Sequence, residues 1–565
     1  MTQTITQERT NRLSLIRCKA PGNELHPLFP RPFLIVSATA FVLVCPFFLL
    51  GILAGHDFAF HMNSWMEVAA QWKDGIFYPR WAQMANYGFG EPRFVFYPPL
   101  SWMVGGLLGT VLPWKLVPGA FIWLALTLSG CSMFFLARTW LCNRDAIFAG
   151  ALYAANPYYL IIIYWRSDFA ELLAGALLPV LMLYCLRSHE HGTRPLILLS
   201  LVVAAAWLTN APAAVMVNYS LAVIVLILAR MQRSWRPLAV GAGSLALGMG
   251  LAAIYILPAI YEQRWVAIGQ LLASGFRPEQ NFLFTTTGDT GHDAFNRLLT
   301  MNAVTQIVTI TLALWFALNR RTIKRDALAI LSVWSVLAIL LMFPISRPAW
   351  AIFPKMQFLQ FPWRWLLCAN VGFALLVTMA CQNRYLRTGL YLGMLGILVF
   401  GAWRIQRPWK ATAADITRMA ERQRSGEGYK SRPEYIPLGA DVAQSHPNAK
   451  RVLLESNLAA QVSVSRWDAE SKLILVTASA PDRLILRLFN YPAWRAQVNG
   501  IPVVIESVPS SGQISIPVFA GQSDVTVTFK RTWDRLWGEI ISVGSLVLIL
   551  ILTFKSSRRP ALAGT

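Results

Sequence analysis

An aspartate just after the first long apolar segment is the residue best suited to carry out chemistry. Asp57 lies in the segment 55–61 (GHDFAFH), three residues beyond an uncharged stretch at 33–54. Because a charge at membrane depth is costly, such a residue is a functional candidate by default. As a general base, its carboxylate would take the proton from an acceptor hydroxyl during group transfer. The structural alternative is that Asp57 caps the helix that follows.

Two histidines flank this aspartate. Together with Asp57, His56 and His61 could offer imidazole and carboxylate ligands to a metal ion. The histidines are five residues apart, however, which does not place them on one helical face. The favoured role for both is to orient the acid or a substrate phosphate. A divalent cation is the only cofactor that the sequence suggests, and nothing in it makes that cation certain.

A second acidic pair, Asp168 and Glu171, follows the segment 164–166 (YWR) in a short turn between apolar segments. Residues three apart share a helical face, so the two carboxylates could position substrate or assist a metal. The alternative is an ion pair between Arg166 and Asp168 that caps the next helix. The residue pattern leaves both open.

Arginines at the ends of apolar segments would suit a substrate that carries phosphate. The guanidinium group is planar, permanently charged and matched to phosphate oxygens. The candidates are Arg80, Arg93, Arg166 and Arg364. Arg364 is the best placed, since the segment 361–365 (FPWRW) opens a helix after an amphipathic stretch. The alternative for Arg364 is snorkelling to the membrane interface.

Composition indicates that membrane helices must position these residues. The chain has 565 residues, of which 55% are hydrophobic and 14% charged, with a net charge of +22. Soluble domains are nearer one quarter charged, so a typical soluble enzyme and a disordered chain are excluded. The excess of Lys and Arg fits cytoplasmic loops of a protein in a lipid bilayer. No basic stretch with interleaved aromatics predicts nucleic-acid binding.

Apolar segments long enough for membrane helices recur along the chain, and we expect about 12–14 such helices. Basic loops place both termini in the cytoplasm, which requires an even number of crossings. The region 99–137, interrupted by Pro113 and Pro118, is therefore expected to be re-entrant or partly inserted. The thirteen segments are 33–54, 99–117, 119–137, 146–164, 169–187, 195–209, 212–229, 237–260, 302–319, 327–345, 365–382, 388–404 and 536–554.

The predicted organisation has five parts. Short strands between 460 and 530, with the hairpin signal Asn499-Gly500, predict a β-sandwich. Its Trp467, Trp494 and Trp533 could stack on sugars, but a domain that caps a cavity is the slightly favoured reading. The parts are a cytoplasmic tail at 1–32, a transmembrane domain at 33–404 whose external loop 55–98 forms interfacial helices, an extracytoplasmic β-domain at 405–535, a last membrane helix at 536–554 and a cytoplasmic tail at 555–565.

The order of these motifs resembles that of the GT-C type membrane glycosyltransferases. An acid in the first external loop precedes 78–81 (YPRW), 88–92 (GFGEP) and 96–100 (FYPPL), and Tyr97 in the last motif is a further candidate for substrate binding. More closely, the chain resembles the bacterial YfhO-like proteins and the group labelled "6-pyruvoyl-tetrahydropterin synthase-related" membrane protein. Further shared motifs are 208–212 (LTNAP), 360–364 (QFPWR), 491–494 (YPAW) and 498–500 (VNG).

This resemblance implies transfer of a sugar from a polyprenyl-phosphate carrier to an envelope glycan, lipid or protein. The site would face the exterior of a bacterial inner membrane, with Asp57 as the base and external arginines around the phosphate. Direct displacement would invert the anomeric centre. Asn210 occupies a position where relatives are expected to have His, so the role of that histidine is not assigned to this chain. The alternatives are a flippase or transporter of lipid-linked saccharides, and a non-catalytic scaffold for envelope assembly.

Overall fold

The chain folds into a mostly helical body followed by two β-sheets. The computed structural model describes residues 30–319, 325–381, 383–406, 410–456 and 460–557. Nearly all of the predicted N-terminal tail and most of the predicted C-terminal tail lie outside these residues.

Within the described residues, nine helices are long and apolar enough to cross a membrane. Backbone groups in lipid must be satisfied within the segment, which favours helices at each of these positions. The nine are Pro30–Leu50, Val117–Ala137, Asn143–Arg166, Phe169–Leu186, Ala211–Gln232, Thr290–Leu318, Pro362–Ala380, Tyr385–Arg404 and Trp533–Lys555.

The other predicted segments are helical but broken or short. Arg236–Leu251 and Ala253–Trp265 meet at 73°, and Arg325–Leu340 and Pro344–Ile352 meet at 90°, so the described chain has up to eleven spans if each bent pair counts as one. Pro99–Val111 and Arg194–Thr209 are the shorter apolar helices. The expected number of 12–14 therefore exceeds the helices of spanning length. Part of the excess lies in the region 99–137, where we expected incomplete insertion.

The loop at 55–98 contains the predicted short helices, but its longest helix is buried in the protein and does not lie on its surface. Phe58–Lys73 buries most of its side chains. It packs against Pro99–Val111, and its Trp65 stacks on Phe121 with ring centroids 5.0 Å apart. The aromatic content of this loop therefore serves packing inside the protein more than contact with lipid.

The C-terminal region forms the predicted strands in two antiparallel sheets. One sheet has the order β3-β6-β10-β9 and the other β4-β5-β11-β7-β8. Asn499 and Gly500 have φ values of 51° and 79° and join Val498 to its partner Ile501, as a two-residue hairpin requires. The strands are β3 (Val452–Leu454), β4 (Ala460–Trp467), β5 (Ser471–Ala478), β6 (Asp482–Phe489), β7 (Trp494–Val498), β8 (Ile501–Val503), β9 (Glu506–Ser507), β10 (Gln513–Val518) and β11 (Gly521–Phe529).

Part of the first loop is built into the core between these sheets. Trp81 is fully buried, and its ring lies 5.4 Å from that of Trp494. The amide of Phe489 donates to the carbonyl of Phe89 at 2.9 Å. A Cβ on Gly90, which has φ of 78°, would lie 2.1 Å from the Trp81 indole nitrogen. The motif at 88–92 thus docks the β-sandwich onto the helical body.

A short sheet joins the first membrane helix to the start of the C-terminal region. Strand β1 (Ile52–Leu53) pairs antiparallel with β2 (Lys410–Ala411). Helix Ala413–Ser425 follows β2, and a capping box at Thr412 and Asp415 fixes where it begins. This pairing holds the segment that carries Asp57 beside the segment that carries residues 426–435.

Candidate active site

A cavity of about 310 Å³ collects most of the residues predicted to do chemistry. Charged groups and aromatic or aliphatic groups both line it, and the Arg364 guanidinium lies 5.0 Å from the centre of the Phe361 ring. The charged and polar lining consists of Asp57, His61, Tyr97, Arg166, Asp168, Asn210, Gln270, Gln360, Arg364, Arg432, Glu434 and Tyr435. The apolar lining includes Leu271, Ala273, Phe276, Phe358 and Phe361.

Main-chain contacts set the position of Asp57. Its amide donates to the carbonyl of Arg166 at 2.8 Å, and the His56 amide donates to the carbonyl of Trp165 at 3.2 Å. Gly55 permits this approach, because a Cβ there would lie 2.5 Å from the Ser167 hydroxyl. The loop that carries Asp57 is thereby fixed against the turn that carries Asp168.

The side chain of Asp57 pairs with an arginine that the sequence did not single out. Arg432 Nη2 lies 2.7 Å from Asp57 Oδ1, and the same nitrogen donates to the His56 carbonyl at 2.9 Å. Asp57 precedes helix Phe58–Lys73, but its side chain makes no capping hydrogen bond. The capping interpretation of Asp57 is therefore wrong, and the carboxylate faces the cavity.

Arg166, Asp168, Glu171 and Arg364 form a second ionic group, called here the buried tetrad. Arg166 reaches Asp168 at 2.7 Å and Glu171 at 2.5 Å. Arg364 reaches Glu171 at 3.0 Å and Asp168 at 3.4 Å. All four side chains are at most 6% exposed. Arg364 is thus held in ion pairs, and the snorkelling interpretation is wrong.

The structure confirms the ion pair between Arg166 and Asp168 at the start of the next helix, and a role for Asp168 in positioning substrate stays a prediction. Its Oδ1 accepts from the Glu171 amide at 3.0 Å as a helix cap, while Oδ2 binds the two arginines beside the cavity. Burial disfavours its charged form, but Arg166 and Arg364 outweigh that effect and lower the pKa of Asp168. This carboxylate therefore stays ionised and committed to the arginines.

Strained backbone flanks the buried tetrad. Ser167 has φ of 53° at the end of a π-helical turn, Ile162–Arg166, and Gln360 has φ of 61°. Gln360 is anchored through its amide, which donates to the Leu271 carbonyl at 2.7 Å. Residues other than glycine in this region of φ are uncommon and concentrate at binding sites, as do π-helical turns.

Of the two histidines, only His61 lines the cavity. His61 lines the cavity and is buried among aromatic rings, and this burial lowers its pKa to about 4, so the imidazole is neutral at physiological pH. His56 lies outside the cavity lining and packs against Phe295, with ring centroids 5.6 Å apart. Across the described residues, no group of three or more His, Cys, Asp or Glu side chains could hold a metal ion. His56, Asp57 and His61 thus do not form one.

Tyr97 reaches the cavity, but two of the predicted arginines do not. Arg80 is buried with its guanidinium 4.2 Å from the Tyr78 ring and near the carbonyl of Ile254. Arg93 is buried beside Glu91, with Nε and Oε1 2.8 Å apart, and donates to Ser64 at 2.9 Å. Arg93 thus ties parts of the first loop together, whereas among the described residues no hydrogen bond engages Nη1 of the buried Arg80.

Sequence reasoning missed the contribution of the segment after helix Ala413–Ser425. Arg432, Glu434 and Tyr435 enter the cavity from this segment. Burial raises the pKa of Glu434, with Arg432 opposing it. No periodic pattern surrounds these residues, and the only available signal was the proline that follows Arg432.

Asn210, where a histidine was expected, caps helix Ala211–Gln232 by accepting from the Ala213 amide at 2.9 Å.

The chain belongs to the family described as 6-pyruvoyl-tetrahydropterin synthase related domain, membrane protein, whose profile matches residues 94–408. The predicted family is therefore confirmed, and the chain is a multi-pass membrane protein. The matched range includes the buried tetrad and excludes Asp57 and Arg432. No curated protein sequence matches the chain.

Solved structures to which the chain is similar are glycosyltransferases. The arabinofuranosyltransferase AftD from Mycobacteria is 15% identical over 67% of this chain and 28% of that enzyme, with a TM-score of 0.43. The oligosaccharyltransferase of Archaeoglobus fulgidus is 12% identical over 66% of this chain and 55% of that enzyme, with a TM-score of 0.38. The chain thus spans less than two thirds of either enzyme. At these scores and identities the similarity does not assign a function.

Proposed function

We propose that this protein is a membrane glycosyltransferase that moves a sugar from a polyprenyl-phosphate-linked donor to a hydroxyl of a cell-envelope acceptor. The observation that carries the proposal is one cavity that joins a partly exposed carboxylate, three guanidinium groups and several apolar side chains. A lipid-linked donor needs this combination, since its phosphate is anionic and its tail is apolar.

The apolar and the charged groups of the cavity suit the two ends of such a donor. Phe276, Phe358 and Phe361 offer apolar surface to the first prenyl units. Arg364, Arg166 and Arg432 line the same cavity, where they can stabilise a phosphate. Cavities of this size with a few convergent polar groups are usual for small-molecule binding.

The proposed reaction is a single displacement at the anomeric carbon. Asp57 takes the proton of the acceptor hydroxyl while the oxygen of that hydroxyl forms a bond to the anomeric carbon. The bond between that carbon and the phosphate oxygen breaks, and its electron pair leaves with the phosphate. The nearby arginines stabilise the charge that develops there. The product has the inverted configuration.

Arg432 has a distinct part in this proposal. Its guanidinium pairs with the Asp57 carboxylate at 2.7 Å. A bound phosphate competes for the guanidinium, because phosphate oxygens and a carboxylate are matched by the same fork of donors. Release of Arg432 to the phosphate would leave Asp57 free to accept the proton. Binding of the donor would thus activate Asp57 as the general base.

The proposed location is the bacterial inner membrane, with the cavity open to the exterior. Polyprenyl-phosphate sugars used there need no nucleotide, which agrees with a chain that lacks an Asp-x-Asp motif in its sequence. The acceptor belongs to the cell envelope, as a glycan, a lipid or a protein.

A deletion strain complemented with variants tests the proposal. We expect the strain to lose one envelope glycan or glycolipid, seen by mass spectrometry, and the wild-type gene to restore it. Asp57→Asn should reduce transfer by about 10²- to 10⁴-fold, the usual contribution of a general base. Asp74→Asn, at the exposed end of the same helix, is the matched control and should restore the product.

Two outcomes would contradict the proposal. Full restoration by Asp57→Asn at wild-type protein levels would remove the assigned base. Movement of labelled lipid-linked sugar across proteoliposomes, without transfer to any acceptor, would favour a flippase instead.

A further inference from the structure

A second cavity, of about 370 Å³, lies where helix Ala253–Glu262, the β-sandwich and the last membrane helix meet. It shares no lining residue with the candidate active site. Its lining combines aromatic rings with basic side chains. The residues are Tyr261, Trp265, Pro492, Ala493, Arg495, Lys530, Arg531, Thr532 and Trp533.

A rigid network supports this cavity. Arg535 donates to both oxygens of Glu262, at 2.6 and 2.8 Å, and Tyr491 donates to the same carboxylate at 2.5 Å. Trp533 donates through its indole nitrogen to the Tyr261 hydroxyl at 3.1 Å, and the two rings are 4.5 Å apart. The aromatic wall is therefore fixed before any ligand arrives, which reduces the entropy lost on binding.

Three cations line the cavity, namely Arg495, Lys530 and Arg531. Arg531 pairs with Glu539. Over the part of the chain that the structure describes, no ion pair engages Arg495 or Lys530, and both side chains are exposed. The Arg495 guanidinium is instead oriented by the carbonyls of Pro492 and Trp494, at 2.7 and 2.8 Å. The cavity thus has an excess of positive charge that suits an anion.

Apolar side chains continue from the cavity along the last membrane helix. Trp533 begins helix Trp533–Ser557, and Trp537, Ile540 and Ile541 are 51%, 48% and 42% exposed. Tryptophan and tyrosine at the end of a membrane helix favour the headgroup level of a bilayer. A ligand with an anionic head and apolar chains would match both the cavity and this helix face.

We propose that this second cavity binds the headgroup of an anionic phospholipid, with the acyl chains along Trp537, Ile540 and Ile541. Arg495 and Lys530 would bind the phosphate by charge-assisted hydrogen bonds. The lipid would join the last membrane helix to the β-sandwich that docks on the first loop. This inference does not depend on the proposed glycosyltransferase activity.

Lipid binding to the purified full-length protein in detergent tests the inference. The probes are phosphatidylglycerol, phosphatidylcholine and inorganic phosphate, with native mass spectrometry and the melting temperature as readouts. We expect bound phosphatidylglycerol and a rise in melting temperature that grows with its concentration. We expect no such rise with phosphatidylcholine or inorganic phosphate at the same concentrations.

A pair of double variants locates the site. Arg495→Gln with Lys530→Gln should weaken phosphatidylglycerol binding at least about tenfold, since charged hydrogen bonds contribute more than 1 kcal/mol each. The control, Lys450→Gln with Arg451→Gln, removes the same charge from exposed positions outside the cavity and should bind as wild type does.

If a variant fails to fold, the binding measurements on the wild-type protein still test the inference. Equal binding of phosphatidylglycerol and phosphatidylcholine would overturn the anionic headgroup. An equal stabilisation by inorganic phosphate would show a site for a free anion and overturn the lipid. Wild-type affinity in the Arg495 and Lys530 double variant would place any lipid elsewhere.

Discussion

Two sets of ion pairs share the candidate active site and differ in how firmly they are held. In the buried tetrad, Asp168 and Glu171 each contact both arginines and are at most 6% exposed. Asp57 and Arg432 are 32% and 35% exposed and share one contact. Separating a buried pair costs about 3–5 kcal/mol, whereas an exposed pair contributes about 1 kcal/mol or less. The buried tetrad is therefore suited to fix charge, and the Asp57–Arg432 pair to exchange partners.

The largest expected effect tests the buried tetrad. Arg364→Gln should lower the free energy of unfolding by about 3–5 kcal/mol, because it leaves two buried carboxylates with one arginine. The fall in melting temperature of the purified protein would measure it. Arg432→Gln on the same cavity is the control, with an expected loss of about 1 kcal/mol or less. Equal losses in the two variants would remove the distinction between the two sets.

A third ionic group shows what happens when acids outnumber arginines. Glu67 and Glu91 lie near the single Arg93, and one Glu67 oxygen accepts from the Met84 amide at 2.7 Å and from Tyr429 at 3.1 Å. Burial outweighs these contacts and raises the pKa of Glu67 to about 7. In the buried tetrad, with two arginines for two acids, the pKa of Asp168 is lowered instead.

Because the two pKa values shift in opposite directions, the contributions of Glu67 and Asp168 to folding stability should depend on pH in opposite ways. Because the folded state holds the Glu67 proton up to about pH 7, the unfolded state releases it first as pH rises. Stability from this group is therefore present at low pH and declines between about pH 5 and pH 8, by about 2–3 kcal/mol. The melting temperature of Glu67→Gln should fall less over that range than that of the wild type. A parallel decline in both proteins would show that Glu67 does not titrate there.

The smallest effect on stability is expected at the Asp57–Arg432 pair. A double-mutant cycle with Asp57→Ala and Arg432→Ala should give a coupling of about 0.2–1 kcal/mol from melting curves. The coupling should weaken further in high salt, since both groups reach solvent. A coupling above about 2 kcal/mol would mean that this pair is structural, like the buried tetrad.

Local pattern predicted the elements of this fold well. Over the residues that the structure describes, every predicted apolar segment is mostly helical, because the need to satisfy backbone groups in an apolar environment acts on each segment separately. The strands from β4 to β11 follow the predicted alternation closely, and Asn499-Gly500 forms the predicted hairpin. The bends within two helix pairs were not predicted, since no length or composition signal marks a turn of 73° or 90°.

Which residues meet was harder to predict than which elements form. Arg80, Arg93 and Arg364 have the same chemistry and similar surroundings in sequence, yet only Arg364 reaches the cavity. The difference arises from tertiary packing, which places Arg93 beside Glu91 and Arg80 over Tyr78. Arg432 was missed because it follows the short helix Ala413–Ser425 by several residues, in a segment without periodicity. Its position depends on contacts with the distant first loop.

The pairing of β1 with β2 has a consequence for biogenesis. The partners of the candidate active site leave the ribosome in the order Asp57, the 166–171 turn, Arg364 and Arg432. Strand β2 is made only after almost all the membrane helices, and it is this strand that draws the Arg432 segment towards Asp57. A nascent chain would thus carry its carboxylate for most of translation without its guanidinium partner. The ionic pair can therefore form only after the membrane helices up to Tyr385–Arg404 have been made, and before the last one, Trp533–Lys555, is complete.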